Sequence, residues 1–324
     1  MRKMSIFITI SLLVFTVSLA SAQTFTWTAG PVGGGWYAIS GGIASIVNEK
    51  SGGITVKVIP GGGRQNPSLV DKGDCDLGFG LPFLNVAAWN GEDPYDRKHT
   101  NLRAIAGGMS LNYFHFYVGV ETPFKTMDEV FKEKKALRMG ISPTGTSDEW
   151  VFRKTILHYK ADYKDLEAAG FKFFRGNYTE QASQFKDRNV DGVFTFLAIP
   201  GAAITEASIG RSLRLINFPP DVLQTLQKYG IESGRIPPGT YPKAANANEE
   251  ITTAVAGSVI LVNKSVADDV AYRIAKVIHE NLDQFRRIHG SLAPYELKNA
   301  VTGLGMIPLH PGAERYYKER GVLK

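Results

Sequence analysis

The groups in this chain best suited to do chemistry are backbone amides bared by glycine. Thr28-Ala29-Gly30-Pro31-Val32-Gly33-Gly34-Gly35-Trp36-Tyr37 closes a strand pattern over residues 25–29 and opens a helix pattern over 36–50. Three consecutive glycines at such a junction let the backbone turn sharply and bring its N–H groups close to a ligand. A helix N-terminus adds orphan donors and a partial positive charge, which suits a carboxylate or phosphate. The device recurs. Pro60-Gly61-Gly62-Gly63-Arg64-Gln65-Asn66 and Ser142-Pro143-Thr144-Gly145-Thr146-Ser147 also follow strand-like runs and precede helix-like ones. One glycine run alone would read as a flexible turn; the repetition at strand ends points to an anion site.

The side chains in these turns carry the rest of the expectation. Gly34 and Gly35 open the first helix beside Trp36 and Tyr37, whose flat rings with polar tips suit the lining of a small-solute pocket or, equally, packing between helix and sheet. In the second turn, Gly63, Arg64, Gln65 and Asn66 are candidates. A guanidinium in a glycine-framed loop can hold a carboxylate through two parallel N–H···O bonds; a surface arginine, or one linked to an acid across a cleft, would look the same in sequence. In the third turn, Gly145, Thr146 and Ser147 can meet an anion, or cap the following helix with support from Glu149. Phe194 and Thr195 end a later strand pattern, Thr195 as a polar contact and the phenylalanine as wall or core.

Catalytic groups are few. The six histidines (His99, His115, His158, His279, His289, His310) are dispersed without metal-ligand spacing, and no serine sits in a nucleophile elbow. The glycine run lacks the acid that a dinucleotide site needs after the following strand. Cys75 is the single cysteine, flanked by Asp74 and Asp76 that disfavour its thiolate, so it reads as a packing residue and excludes an internal disulfide. These features predict a binding protein with no enzymatic activity, no cofactor and no metal. Lysine and arginine are scattered, so nucleic-acid binding has little support.

The N-terminus has the form of a secretory leader. Arg2 and Lys3 precede an apolar stretch from Ile6 to Leu19, and Ala20-Ser21-Ala22 forms a small-residue cleavage site. Cleavage after Ala22 predicts an exported, periplasmic chain, whose net charge drops from +6 to +4 as Arg2 and Lys3 are removed. Beyond residue 22, strand-like runs alternate with helical periodicity, which predicts an α/β fold with largely parallel sheets. Breaks at Glu121-Thr122-Pro123 and over 236–247 predict two lobes, one of residues 23–120 plus 255–324 and one of residues 121–254. Two connecting segments would form the hinge, with a ligand cleft between the lobes at the carboxyl ends of the strands. One long helix is expected from 266 to about 288.

Taken in order, five elements resemble the TAXI family, extracytoplasmic receptors of tripartite ATP-independent periplasmic (TRAP) transporters. They are Gly33-Gly34-Gly35-Trp36-Tyr37 with Gly41-Gly42-Ile43-Ala44 and the Gly61–Asn66 turn; Lys72-Gly73-Asp74-Cys75-Asp76-Leu77-Gly78-Phe79; Gly140-Ile141-Ser142-Pro143-Thr144-Gly145-Thr146; Asn189-Val190-Asp191-Gly192-Val193-Phe194; and Ile307-Pro308-Leu309-His310-Pro311-Gly312-Ala313-Glu314-Arg315-Tyr316-Tyr317. The resemblance covers essentially the whole chain after the leader. It implies a two-lobe, type II periplasmic-binding-protein fold, a monomer that closes on a small carboxylate (dicarboxylate, keto acid or glutamate-like) and delivers it to an ion-gradient-driven TRAP permease. Receptors of ATP-driven (ABC) importers and of sensory systems share this fold, so both stand as alternatives. The sequence departs from the family pattern where Gly63 replaces a usual serine, Arg64 an apolar residue, and Gly80-Leu81-Pro82-Phe83 a more polar turn. Phe83 thereby joins the candidate ligand contacts. With few acids in the three turns, a dicarboxylate or keto acid is favoured over an amino acid.

Overall fold

In the computed structural model, which describes residues 23–30 and 34–324, all ten strands join one sheet whose main path runs β2-β1-β3-β10-β4-β7-β5-β6. The expected leader and Gly33 lie outside the described residues. The chain starts with β1 (Gln23–Thr28), α1 (Gly35–Lys50), β2 (Ile54–Ile59), α2 (Asn66–Lys72), β3 (Leu77–Gly80) and α3 (Pro82–Asn90). β1 pairs in parallel with β2 and with β3, Thr28 lying opposite Ile59 and Gly78, so the carboxyl ends of all three strands share one edge. α1 covers one face of this sheet through Ile39, Ile43, Ile46 and Val47, the spacing of one helical stripe.

β4 (Leu102–Gly119) then runs for 18 residues out of the first lobe into the second. There follow a π turn (Asp128–Lys132), β5 (Arg138–Ile141), α4 (Ser147–His158), α5 (Tyr163–Ala168), β6 (Lys172–Arg175), α6 (Tyr178–Lys186) and β7 (Gly192–Leu197). α7 (Ala202–Gly210), β8 (Leu213–Leu215), α8 (Pro220–Gln227) and β9 (Glu232–Ile236) complete this lobe. β5 pairs in parallel with β6 and β7, so their carboxyl ends face the matching edge of the first lobe. β10 (Ile251–Asn263) returns beside β4, and α9 (Asp268–Glu280), α10 (Leu282–Arg287) and α11 (Pro311–Glu319) close the first lobe. The result is the two-lobe periplasmic-binding-protein architecture, with two antiparallel strands as its crossing.

Four expectations change. The strand patterns at 103–107 and 114–120 are one strand, because β10 pairs along both halves of β4; the register slips between Ala256 and Leu261, and Ser110 takes a left-handed φ of 27°. The sheet is also mixed and not largely parallel, since β10 and β4 pair antiparallel with each other and with their other neighbours. β4 pairs with β7 from Tyr113 onward and with β8 up to Gly119, so residues 113–119 belong to the second lobe's sheet. The helix expected from 266 to 288 is two helices, since Asn281 leaves helical geometry (φ −122°, ψ 37°) and its amide donates to the Val277 carbonyl at 2.7 Å. β9 escaped the sequence reading because Glu232, Ser233, Gly234 and Arg235 carry no apolar alternation; it is an edge strand on β10.

Apolar packing differs between the two sides of the sheet. One cluster belongs to the first lobe under α1, α9 and α11, and another to the second lobe under α6 and α7. A third runs unbroken through both lobes, from Val70, Leu84 and Ala88 to Phe131, Trp150 and Phe152.

Candidate functional site

The edge where the two lobes face each other is made of the glycine turns. Gly34 caps α1 in extended backbone (φ −85°, ψ 156°) and offers no side chain, and the first turn carries no acid. Gly35, the first helical residue, is half-buried. The positive end of this 16-residue helix is thus left uncapped by any described side chain. Trp36 packs on Phe79 with ring centres 5.2 Å apart, and its indole N–H donates to Ser258 Oγ at 2.8 Å. Ser258 Oγ in turn shares a 2.8 Å hydrogen bond with Ser110 Oγ, so the start of α1 is tied to both crossing strands. Tyr37 is half-buried against the first lobe's core.

The second turn is held from within. Asn66, fully buried, accepts from Thr28 Oγ1 (2.9 Å) and the Gly62 N–H (2.9 Å) and donates to the carbonyls of Ala29 (2.6 Å) and Phe79 (2.8 Å). Its amide is consumed in joining the ends of β1 and β3 to the turn, so Asn66 shapes the site without facing it. Gly63 sits against the second lobe: a methyl placed on it would lie 3.2 Å from Ser147 Oγ and 3.0 Å from Leu81 Cδ1. Arg64 is half-buried; its guanidinium donates only a long 3.4 Å bond to the Pro94 carbonyl and forms no ion pair among the described residues. Tyr95 donates from Oη to the Arg64 carbonyl at 2.9 Å and fixes the backbone there. Gln65 is exposed at the rim.

Across the cleft, the third turn is occupied by its own chain. Thr146 caps α4, accepting from the Glu149 N–H (3.4 Å) and donating to the Pro143 carbonyl (2.8 Å). Asp148 is buried and accepts from Ser142 Oγ, which also accepts from Gln181 Nε2 at 3.1 Å. Burial holds the Asp148 carboxyl above the usual carboxylate range. Glu149, also buried, accepts from Tyr163 Oη at 2.8 Å and pairs with Arg153 at 3.3 Å. Gly145, at φ 93°, faces the cleft, and a methyl there would lie 2.9 Å from Arg64 Nη1. Ser147 faces Gly63, as above.

A cavity of about 720 Å³ opens where these turns meet, lined by Arg64, Gln65, Ser68 and Tyr95 of the first lobe and Thr144 and Gly145 of the second. Asp93 and Asp96 of the first lobe line it as well. A smaller cavity of about 310 Å³ lies at the crossing, between Tyr113 and Ile199 on one side and residues 290–299 on the other.

The structure therefore brings together Gly63, Arg64, Gly145 and Ser147 from opposite lobes and sets Gly34, Gly35 and Trp36 at the head of α1. Three expected contacts fall elsewhere. Phe194 is in the second lobe's core, 5.2 Å from Phe152 and 5.9 Å from Phe218 between ring centres. Thr195, opposite His115, is buried on the other face of the same strand. Phe83 stacks on Trp150 (5.6 Å, 19°) and joins the lobes away from the solute cavity. Sequence reasoning missed Tyr95, Ser110 and Ser258, none of which stands in a motif; only the folded crossing brings Ser110 and Ser258 beside Trp36. Among the described residues no group of three histidine, cysteine or acidic side chains could hold a metal.

The model of the NMT1-like family matches residues 27–321, and the chain belongs to that family. Among solved structures it is similar to the periplasmic binding protein BugD, at a TM-score of 0.53 and 13% identity over 92% of this chain and 98% of that one. It is also similar to a protein of Bordetella bronchiseptica RB50, at a TM-score of 0.50 and 14% identity over 94% and 90%. At such identities the likeness concerns the fold.

Proposed function

We propose that this NMT1-like chain is an extracytoplasmic solute receptor that traps a small carboxylate between its lobes and hands it to an ion-gradient-driven TRAP permease. Arg64 carries this reading. Its guanidinium stands half-buried in the cavity between the lobes, with a single long bond to a carbonyl and no carboxylate partner among the described residues. A carboxylate satisfies it bidentately, and a solute that also reaches the uncapped head of α1, which is not among this cavity's described lining, gains donors of about 0.3–1 kcal/mol, rising to ~2 when partly buried. The second lobe contributes Gly145 and Ser147 as a closing surface. Asp148, Glu149 and, on the cavity wall, Asp93 are already engaged, which leaves Asp96 as the one acid among the described lining residues to meet an ammonium group and favours a dicarboxylate or keto acid. Periplasmic residence rests on the leader expected over residues 1–22.

Titration calorimetry of the mature chain against dicarboxylates, 2-oxo acids and glutamate tests the reading. One acid should bind with micromolar or better affinity, and Arg64→Ala should weaken it at least tenfold, about 1.4 kcal/mol. An unchanged dissociation constant in Arg64→Ala, or glutamate binding with no response to 2-oxo acids, would overturn the assignment of site or of ligand class respectively.

A further inference from the structure

On the side of the molecule where one apolar cluster crosses both lobes, a set of contacts spans the gap without involving the solute cavity's cation. Asp93, in the first-lobe segment between α3 and β4, accepts from Trp150 Nε1 at 3.0 Å and from Lys154 Nζ at 2.6 Å, both on α4 of the second lobe. The Lys154 ammonium also lies over the rings of Trp150 (4.8 Å) and Tyr229 (5.0 Å), the latter just beyond α8. Phe83, at the first turn of α3, stacks on the same Trp150 ring. One indole is thus gripped on its face by Phe83 and at its N–H by Asp93, while the lysine completes the pair. Lys154 is only 13% exposed and Asp93 56%. A pair so placed is less screened than one on an open surface, and its cation is further held by two aromatic faces.

We propose that Phe83, Asp93, Trp150 and Lys154 form a clasp that holds the lobes together independently of solute. The proposal rests on the reading that the lobes open and close. It makes these four positioning residues: each raises the share of protein already in the binding-competent posture, and apparent affinity scales with that share, while Asp93 also lines the solute cavity. Asp93 is held below the ordinary carboxylate range: burial pushes it up, but the hydrogen bond and charge of Lys154, with Trp150 and Arg153, pull it further down. The clasp therefore persists at neutral and mildly acidic pH.

Small-angle scattering of the ligand-free mature chain tests this without any solute. A compact chain of about 300 residues has a radius of gyration near ~19 Å. Asp93→Asn and Lys154→Met should raise the measured value by about 1 Å or more relative to wild type. High salt should open wild type in the same sense and leave Lys154→Met unmoved, since no ion pair remains to screen. Asp93→Asn changes a largely exposed carboxylate to its isostere, so its circular dichroism should match wild type. Should Lys154→Met lose its fold, Trp150→Phe, which keeps the stack and deletes the donor, takes its place and should expand the chain to a smaller extent. Profiles of Asp93→Asn and its companion superimposable on wild type would overturn the clasp. Failure of every carboxylate to bind in calorimetry, with the expansion still seen, would instead overturn the proposed solute and leave the clasp standing.

Discussion

The two turns that face each other across the cleft, residues 60–66 and 142–149, solve the same geometric problem with opposite electrostatics. Each follows a parallel strand, each enters a helix, and each is braced by a buried side chain from that helix. In the first lobe the brace is the neutral amide of Asn66, with four hydrogen bonds to β1, β3 and the turn. In the second it is the carboxylate of Asp148, beside a second buried acid, Glu149. An amide brace leaves the positive head of a neighbouring helix and the charge of Arg64 unneutralised. A carboxylate brace spends the head of α4 on its own chain. On the proposed function, this difference gives capture to the first lobe and closure to the second.

Removing the amide brace should have the largest effect. Asn66→Ala strands two buried donors and two acceptors, and unfolding stability should fall by about 3 kcal/mol or more, read from urea denaturation. A loss under about 1 kcal/mol would mean that the turn holds its shape without Asn66. The middle effect concerns the seam. Gly63→Ala puts a methyl 3.0 Å from Leu81 Cδ1 and 3.2 Å from Ser147 Oγ, tight enough to press the lobes apart by about 1 kcal/mol. Affinity for the solute should drop severalfold while the ligand-free melting temperature holds. An unchanged affinity would show that the two turns need not touch when solute is bound.

The smallest effect should come from the carboxylate brace, and its sign is reversed. Because burial raises the Asp148 pKa, the folded state holds that proton more tightly than the unfolded chain. Its contribution to stability is greatest below the ordinary carboxylate pKa and declines as pH rises through the folded value. Asp148→Asn keeps an acceptor for Ser142 and abolishes this decline. Relative to wild type, the variant's melting temperature should rise between pH 4 and pH 7, with no loss of stability at neutrality. A variant that instead loses ground as pH rises would show that the ionised form is the better brace.

How much of this was readable beforehand divides along the same line. The glycine turns, the strand ends and the entry of α1 and α4 were legible because glycine runs and helix caps are local signals. Two lobes with a double crossing followed from the breaks in periodicity, but the crossing's place did not. Residues 103–120 contain Gly107-Gly108 and polar Ser110 and Asn112, which interrupt the apolar pattern, and only pairing with β10 shows them to be one strand. Arg64 and Gly145, which line the cavity between the lobes, were legible as candidates because each stands in a turn. Phe194 was misplaced because a strand-end aromatic has the same sequence signature in a core as in a wall. The clasp residues were invisible as a group, since Phe83, Asp93, Trp150 and Lys154 meet only when the lobes do.

The short chain of bonds from the Trp36 indole through Ser258 to Ser110 makes the head of α1 and the bend between the lobes a single mechanical variable. On the proposed function, a guest that tugs on that helix end would also set the angle of both backbone straps. Occupancy would thereby be written into the outer contour of the protein, where a membrane partner could read it without ever reaching the interior.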